Sequence, residues 1–284
     1  MSKEHLVRIL DNIRDLPTLP TSYFKISKLL QDVNTPAREV SRVLETDQAI
    51  ASKVLRLVNS SFFGFSRRVT QVSQAVMLLG YNAIRNAVLS ISVFDTFPGT
   101  SSQRFDRREF WRHTIATAIV ARHLARCLKL GQEDDAFAAG ILHDLGKLVV
   151  DQCMPEQFRI ILECIKDHEV SMFEAERQVL GATHAEIGEY LLEKWRLPHP
   201  LVEAVALHHT PHNIRSNPQL VSLVHLGDHI SRRLKVGDGG DPLLPAIDPF
   251  VNGELGLGAG QLEEMIPQIE AELQSSDDVL ALVK

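Results

Sequence analysis

Apolar residues recur along this chain at spacings of three and four, and few stretches alternate apolar with polar for long enough to make a strand. That period puts one side chain per helical turn on a common face, so the pattern predicts an all-α protein. Between Val40 and Val58, the positions Val43, Leu44, Ile50, Val54, Leu57 and Val58 fit packed helices. Asn34-Thr35-Pro36 reads as a cap followed by proline at the first helical position. Leu78-Leu79-Gly80 reads as a helix end where glycine supplies a left-handed turn. Pro98-Gly99 through Ser102 is a small polar break. Beyond it the pattern predicts a long helix from about Arg107 to Leu130, stopped by Gly131. Further helices are expected over roughly 133–150, 156–168, 172–180, 184–195, 199–209 and 218–235. Gly237-Asp238-Gly239-Gly240-Asp241-Pro242 is a loop by composition, and 261–273 reads as a short acidic amphipathic helix.

These breaks divide the chain into an N-terminal helical part, residues 1–98, a central helical part, 99–236, and a loop with a C-terminal helix, 237–284. The net charge of −6 is uneven: +4, −1 and −9 over the three parts. No part is basic enough for general nucleic-acid binding, so no nucleic-acid partner is expected. With 284 residues, 44% apolar and 23% charged, the composition is ordinary for a globular chain. No uninterrupted apolar stretch approaches ~18 residues, so no membrane span is expected. The N-terminus, Met1-Ser2-Lys3-Glu4-His5, lacks the apolar core of a signal peptide. Cys127, Cys153 and Cys164 show no paired spacing and read as reduced thiols. The expected location is the cytoplasm.

The candidate chemistry centres on Gly140-Ile141-Leu142-His143-Asp144-Leu145-Gly146-Lys147. An adjacent imidazole and carboxylate in an apolar run are costly to bury unpaired, and a metal ion removes that cost. Further donors lie along the chain: Glu109 and His113 upstream, His184, the doublet His208-His209, and Asp228 downstream. Imidazole and carboxylate donors without thiolate suit a divalent transition metal such as Fe, Mn, Zn or Ni, as one or two ions. A carboxylate such as Asp144 is able to bridge two ions.

The residues also carry a family resemblance. Leu16-Pro17-Thr18-Leu19-Pro20, the run Asp47 to Ser60 with its Leu55-Arg56-Leu57-Val58-Asn59-Ser60 segment, and Ala75-Val76-Met77-Leu78-Leu79-Gly80 accompany His143-Asp144. Over roughly residues 14 to 230 the chain resembles the HDOD group. That group is a signalling branch of the HD superfamily of metal-dependent phosphohydrolases. The resemblance implies an all-helical fold and a bacterial regulatory role with a signalling protein as partner. The donor set also resembles that of the HD-GYP phosphodiesterases, and Thr183-His184-Ala185-Glu186-Ile187-Gly188 looks like their His-x-x-x-Gly helix. Thr210-Pro211-His212-Asn213 replaces the Gly-Tyr-Pro segment of that family. The alternative implied role is an active phosphohydrolase or phosphodiesterase acting on a phosphate ester, a nucleotide or a cyclic dinucleotide.

Each residue has a plain structural alternative. Glu109 and His113 are offset by only ~40° on a helix, so both are able to face one ion, or they form a surface pair beside Arg107 and Arg108. Ten residues at ~100° leave His123 ~80° away from the face of His113, so it reads as a packed or surface histidine. His143 and Asp144 differ by ~100° on a regular helix and must flank an ion or meet it at a helix end. Gly146 allows close backbone approach there. Lys147 is a candidate contact to a substrate phosphate, or a helix-end lysine. Thr183 and Glu186 form a capping box ahead of His184. His212 imitates zinc spacing from His208, but Pro211 disrupts the helix that spacing needs. Asp228 lies in an apolar helix, where a cation is its natural partner, with His225 and His229 as flanking groups.

Overall fold

The computed structural model describes residues 10–11, 16–32, 34–60, 63–65, 67–97, 105–214, 216–280 and 282. The polar break at Pro98–Ser102 lies outside these residues. Among the described residues there is no β-strand, and the chain is helical as the spacing predicts. The chain forms two compact units: 18–99 with 266–284, and 1–17 with 100–265.

The smaller unit contains α1 (Thr21–Leu30), α2 (Ala37–Leu44), α3 (Gln48–Val58) and α4 (Val72–Thr96). Helices α1, α2 and α3 all pack on α4. Their apolar stripes supply the core through Ile26, Leu44, Val54, Leu57, Ile84 and Ile91, each at most 2% exposed. Each such side chain contributes ~1.5–3 kcal/mol by leaving water. Pro36 stands one position ahead of the first helical residue, and Asn34 bonds Asp32 rather than capping α2. Asp47 caps α3 by accepting from the Ile50 amide. At its other end Asn59 clamps the returning chain, donating to Val69 O and accepting from Val69 N, each at 2.7 Å. Gly80, at φ 83° and ψ 172°, interrupts α4 where the Leu78-Leu79-Gly80 stop was expected, and the chain resumes helix beyond it. By length and composition α4 is long and apolar enough to cross a membrane; 61% of its most apolar stretch is buried within the protein.

The larger unit contains α5 (Arg107–Cys127), α6 (Glu133–Leu142), α7 (Leu145–Cys153), α8 (Pro155–His168), α9 (Met172–Val179), α10 (His184–Lys194), α11 (His199–Leu207), α12 (Pro218–Arg233) and α13 (Pro249–Glu254). Helix α5 is the central element, packed most extensively against α6 and α12. Its buried face includes Phe110, Trp111, Ile115, Ala118 and Ile119. The expected single helix over 133–150 is two, because the chain breaks at His143 and Asp144. The apolar pattern continues through that break, since both helices are buried. The capping box at Thr183 and Glu186 is present, with Thr183 Oγ1 accepting from the Glu186 amide. The acidic helix α14 (Gln261–Gln274) follows the 237–248 loop and α13.

Candidate metal centre

Six elements of the larger unit deliver donors to one place. His113 comes from the second turn of α5, His143 from the end of α6 and Asp144 from the start of α7. His184 opens α10, His208 and His209 follow α11, and Asp228 lies in α12. The break between α6 and α7 resolves the ~100° problem of adjacent helical residues, because Asp144 has left helical geometry at φ −104° and ψ 8°. Close approach of α7 to α10 depends on Gly146, where a Cβ would lie 1.9 Å from the His184 carbonyl oxygen.

The donors fall into two sets. Asp144, His184, His208 and His209 form one, and His113, His143 and Asp228 the other; within each set the donor atoms lie within 4.8 Å of one another. Asp144 stands between them. Its Oδ1 is 3.2 Å from His184 Nε2 and 3.8 Å from His208 Nε2. Its Oδ2 is 3.3 Å from His143 Nε2 and 3.7 Å from His113 Nε2. Asp228 Oδ1 lies 3.1 Å from His113 Nε2 and 3.9 Å from His143 Nε2. Ligands ~2.1 Å from a shared ion sit ~3–3.5 Å apart, so these spacings suit metal coordination.

Hydrogen bonding supports the same conclusion. His113 Nε2, His143 Nε2, His208 Nε2 and Asp144 Oδ1 are buried and have no hydrogen-bond partner. Such orphaned atoms are rare and call for an explanation. They face one another at short range without hydrogen-bond geometry, as donors converging on a common point do. The far sides of the rings are satisfied: His143 Nδ1 donates to Gly140 O, His208 Nδ1 to Val205 O and His184 Nδ1 to Glu176 Oε2, each at 2.7 Å. A carbonyl only accepts, so for His143 and His208 the proton is assigned to Nδ1 and the Nε2 lone pair faces inward. His209 Nε2 then donates to His184 Nε2 at 2.9 Å. These residues fit a divalent metal ion.

Burial is the largest influence on the charge of His113, His143, Asp144, His208, His209 and Asp228. It holds His208 and His209 well below the ordinary imidazole range, assisted by their neighbouring imidazoles. His113 is lowered by burial, against the pull of Asp228. His143 is raised, because the charge of Asp144 overcomes burial. Burial pushes Asp144 and Asp228 up, but both end well below the usual carboxylate value: Asp144 through His143 and Lys147, Asp228 through His113 and Arg232. The pocket therefore holds ionised carboxylates beside mostly neutral imidazoles, the protonation states that metal binding requires.

One expected ligand is placed differently. Glu109 does not join the cluster. Its carboxylate accepts from Arg112 Nη1 at 3.2 and 3.3 Å and is 35% exposed. A helical offset of ~40° sufficed to turn it to the solvent edge, where an arginine three residues on takes it up. Lys147 is buried beside the donors. Its ammonium donates to Asp144 Oδ2 at 2.6 Å and Gly239 O at 3.0 Å. The two decoy histidines stay outside: His123 contacts Arg126 and Cys127, and His212 pairs with Asp248 at 2.6 Å. His225 flanks the site as expected, donating from Nδ1 to His208 O at 2.7 Å, whereas His229 turns to Pro245 O.

Sequence reasoning missed Glu176 and Arg232. Glu176 is fully buried in α9 and accepts from both the His184 amide and His184 Nδ1. The available signal was its place on the apolar face with Met172 and Ala175, where a carboxylate needs a partner. Arg232 follows Asp228 by one turn and donates to its Oδ2 at 3.3 Å.

The comparisons agree with this fold. Residues 16–211 match the HDOD domain. A protein of Treponema pallidum (strain Nichols) is 27% identical over 238 residues, covering 82% of this chain and 45% of the relative. YuxH of Bacillus subtilis (strain 168) is 30% identical over 113 residues, covering 39% and 27%. The chain thus spans less than half the length of either curated relative. An HDOD domain protein from Geobacter sulfurreducens is similar in structure at TM-score 0.80 and 21% identity, with 98% of this chain and 97% of that chain covered. A solved structure from Shewanella amazonensis SB2B follows at TM-score 0.75 and 24% identity, covering 95% and 97%. The helical scaffold, the His143-Asp144 break that it buries, and the match over most of the sequence lead to one assignment: this chain belongs to the HDOD domain family.

Proposed function

We propose that this chain is a bacterial signal-transduction module whose larger unit holds a dinuclear metal centre of histidine and aspartate ligands. One observation carries the reading: the two oxygens of Asp144 face two separate imidazole sets at 3.2–3.8 Å, and the inward Nε2 atoms of His113, His143 and His208 have no other partner. His113, His143, Asp228 and Asp144 Oδ2 would hold one ion; His184, His208, His209 and Asp144 Oδ1 the other. Apart from half-buried His209, these side chains are at most 8% exposed, which favours retention of ions over free exchange of a substrate. The metal then serves a regulatory conformation, read by a signalling protein partner.

The second reading, a metal-dependent phosphohydrolase acting on a nucleotide, cyclic dinucleotide or other phosphate ester, is favoured by the completeness of the two donor sets. Bound ions of this kind lower the pKa of coordinated water toward ~7 and polarise phosphoryl oxygens. The chain's own part would be to keep Asp144 and Asp228 ionised, orient the imidazoles and exclude bulk water. Function belongs to the site rather than to the fold, so turnover decides between the readings.

X-ray fluorescence of protein purified without chelator is expected to show about two transition-metal ions per chain, the number the two donor sets would take. Metal-free protein that fails to take up Mn, Fe or Zn defeats both readings. Assays with Mn and Fe against cyclic dinucleotides, nucleotides and an aryl phosphodiester are expected to show no turnover. Activity that Asp144→Asn abolishes would establish the enzyme instead.

A further inference from the structure

The loop after α12 lies against the candidate centre. Gly237 sits so close to α5 that a Cβ there would fall 2.2 Å from the His113 backbone nitrogen and 2.4 Å from the Glu109 carbonyl oxygen, and its φ of +72° favours glycine independently. The next residue, Asp238, donates its amide to Glu109 O at 3.0 Å. Gly239 then passes over the donors themselves. A Cβ on it would lie 3.0 Å from His113 Cδ2, 3.2 Å from His113 Nε2 and 3.5 Å from Asp144 Oδ2.

Two cations, buried Lys147 and partly buried Arg232, tie this segment to the candidate metal ligands. Lys147 joins Asp144 Oδ2 to Gly239 O. Arg232 joins Asp228 Oδ2 to the Asp241 carboxylate, at 2.9 Å, and to Leu243 O, at 2.7 Å. The ties differ in one respect. Arg232 uses the Asp228 oxygen that faces away from the imidazoles, whereas Lys147 uses the Asp144 oxygen that faces His113 and His143. An ion held by that set and the ammonium of Lys147 would contend for the same oxygen, at a separation where like charges repel strongly in a dry site.

We propose that residues 237–241 form a strap over the His113–His143–Asp228 half of the pocket, latched by Lys147 and released when an ion takes Asp144 Oδ2. Lys147, 2.6 Å from Asp144 Oδ2, balances that carboxylate until an ion does. The Arg232 end remains tied in either state and acts as the hinge. Uptake of metal at a buried site thereby becomes movement of a surface segment, which is what a signalling partner can read. This inference rests on the metal-centre reading.

The test is hydrogen–deuterium exchange of the 237–241 amides in the full chain, with chelator and with stoichiometric Zn(II), whose uptake is counted in the same samples. Release of the strap predicts exchange at the Asp238 amide at least tenfold faster with Zn(II). Gly239→Ala, which crowds a methyl against His113 without altering any charge, is expected to give the same acceleration with chelator present. Lys147→Met is expected to do so too. If Zn(II) binds and the Asp238 amide exchanges no faster, the latch is overturned. Both variants folding with exchange at the parent rate would overturn it as well. A chain that takes up no Zn(II) defeats the metal centre and the trigger together, and the ion count separates that outcome from a latch that binds metal but does not move.

Discussion

Glu176 accepts two hydrogen bonds from a single residue: the backbone amide of His184 and its ring Nδ1–H, both at 2.7 Å. One carboxylate oxygen therefore fixes where α10 begins and which ring nitrogen faces Asp144. Carboxylate partners of metal-binding imidazoles raise ligand basicity, and their loss costs about 10–100-fold in affinity. Glu176→Gln is expected to weaken metal binding by that factor in a competitive Zn(II) titration, with the Co(II) absorption spectrum altered. Unchanged affinity and spectrum would reduce Glu176 to a helix-packing residue.

Asp144 and Lys147 form a buried pair at 2.6 Å, with side chains 2% and 5% exposed. Removing one member leaves an uncompensated buried charge, at a cost of about 3–5 kcal/mol. Asp144→Asn is expected to lower the chelated protein's thermal midpoint and bring bound metal below one ion per chain. Asp144→Asn combined with Lys147→Met is expected to recover much of the thermal loss without restoring metal. A double variant as unstable as the single one would show that the pair is not the source of the cost.

Glu109 supplies the matched control. It was a candidate ligand by spacing, yet its carboxylate lies at the solvent edge with Arg112. Glu109→Gln is expected to leave metal content unchanged and to shift stability by no more than about 0.5 kcal/mol. Loss of an ion in that variant would return Glu109 to the ligand set.

Acid should destabilise the chelated protein before any carboxylate titrates. His113, His208 and His209 have folded pKa values below the ordinary imidazole value. The unfolded chain therefore binds their protons first, and the stability they contribute is present above ~6.5 and lost as pH falls from there. His143 is raised and works in the opposite direction. With three groups against one, the thermal midpoint is expected to fall between pH 7 and pH 5. The depressed Asp144 and Asp228 matter only below ~3.9, where unfolded carboxylates take up protons. A midpoint that is flat or rises over pH 7 to 5 would show that these imidazoles are not held neutral by the fold.

Much of the helical order was legible in the chain, because the threefold and fourfold spacing of apolar residues reports which face is buried. Thr183 and Glu186 announced the start of α10 through local hydrogen bonding alone. The same signal misled at residues 133–150. Gly140 to Val150 is buried throughout, so periodicity ran across the break at His143 and Asp144. Glu109 was misplaced because an angular offset on a helix does not say whether a nearby arginine will compete for the carboxylate. Glu176 and the 237–241 strap were missed because their partners, His184, Lys147 and His113, come from other elements.

The amino-acid sequence by itself determined the helices, the kinds of donor and their order along the chain, since burial and capping are local consequences of residue type. How those donors divide, with one oxygen of Asp144 toward His143 and His113 and the other toward His184 and His208, was decided only by tertiary structure. That division depends on how closely α5, α7, α10, α11 and α12 approach one another. Approach is set by packing between residues distant in the chain, which no local pattern records.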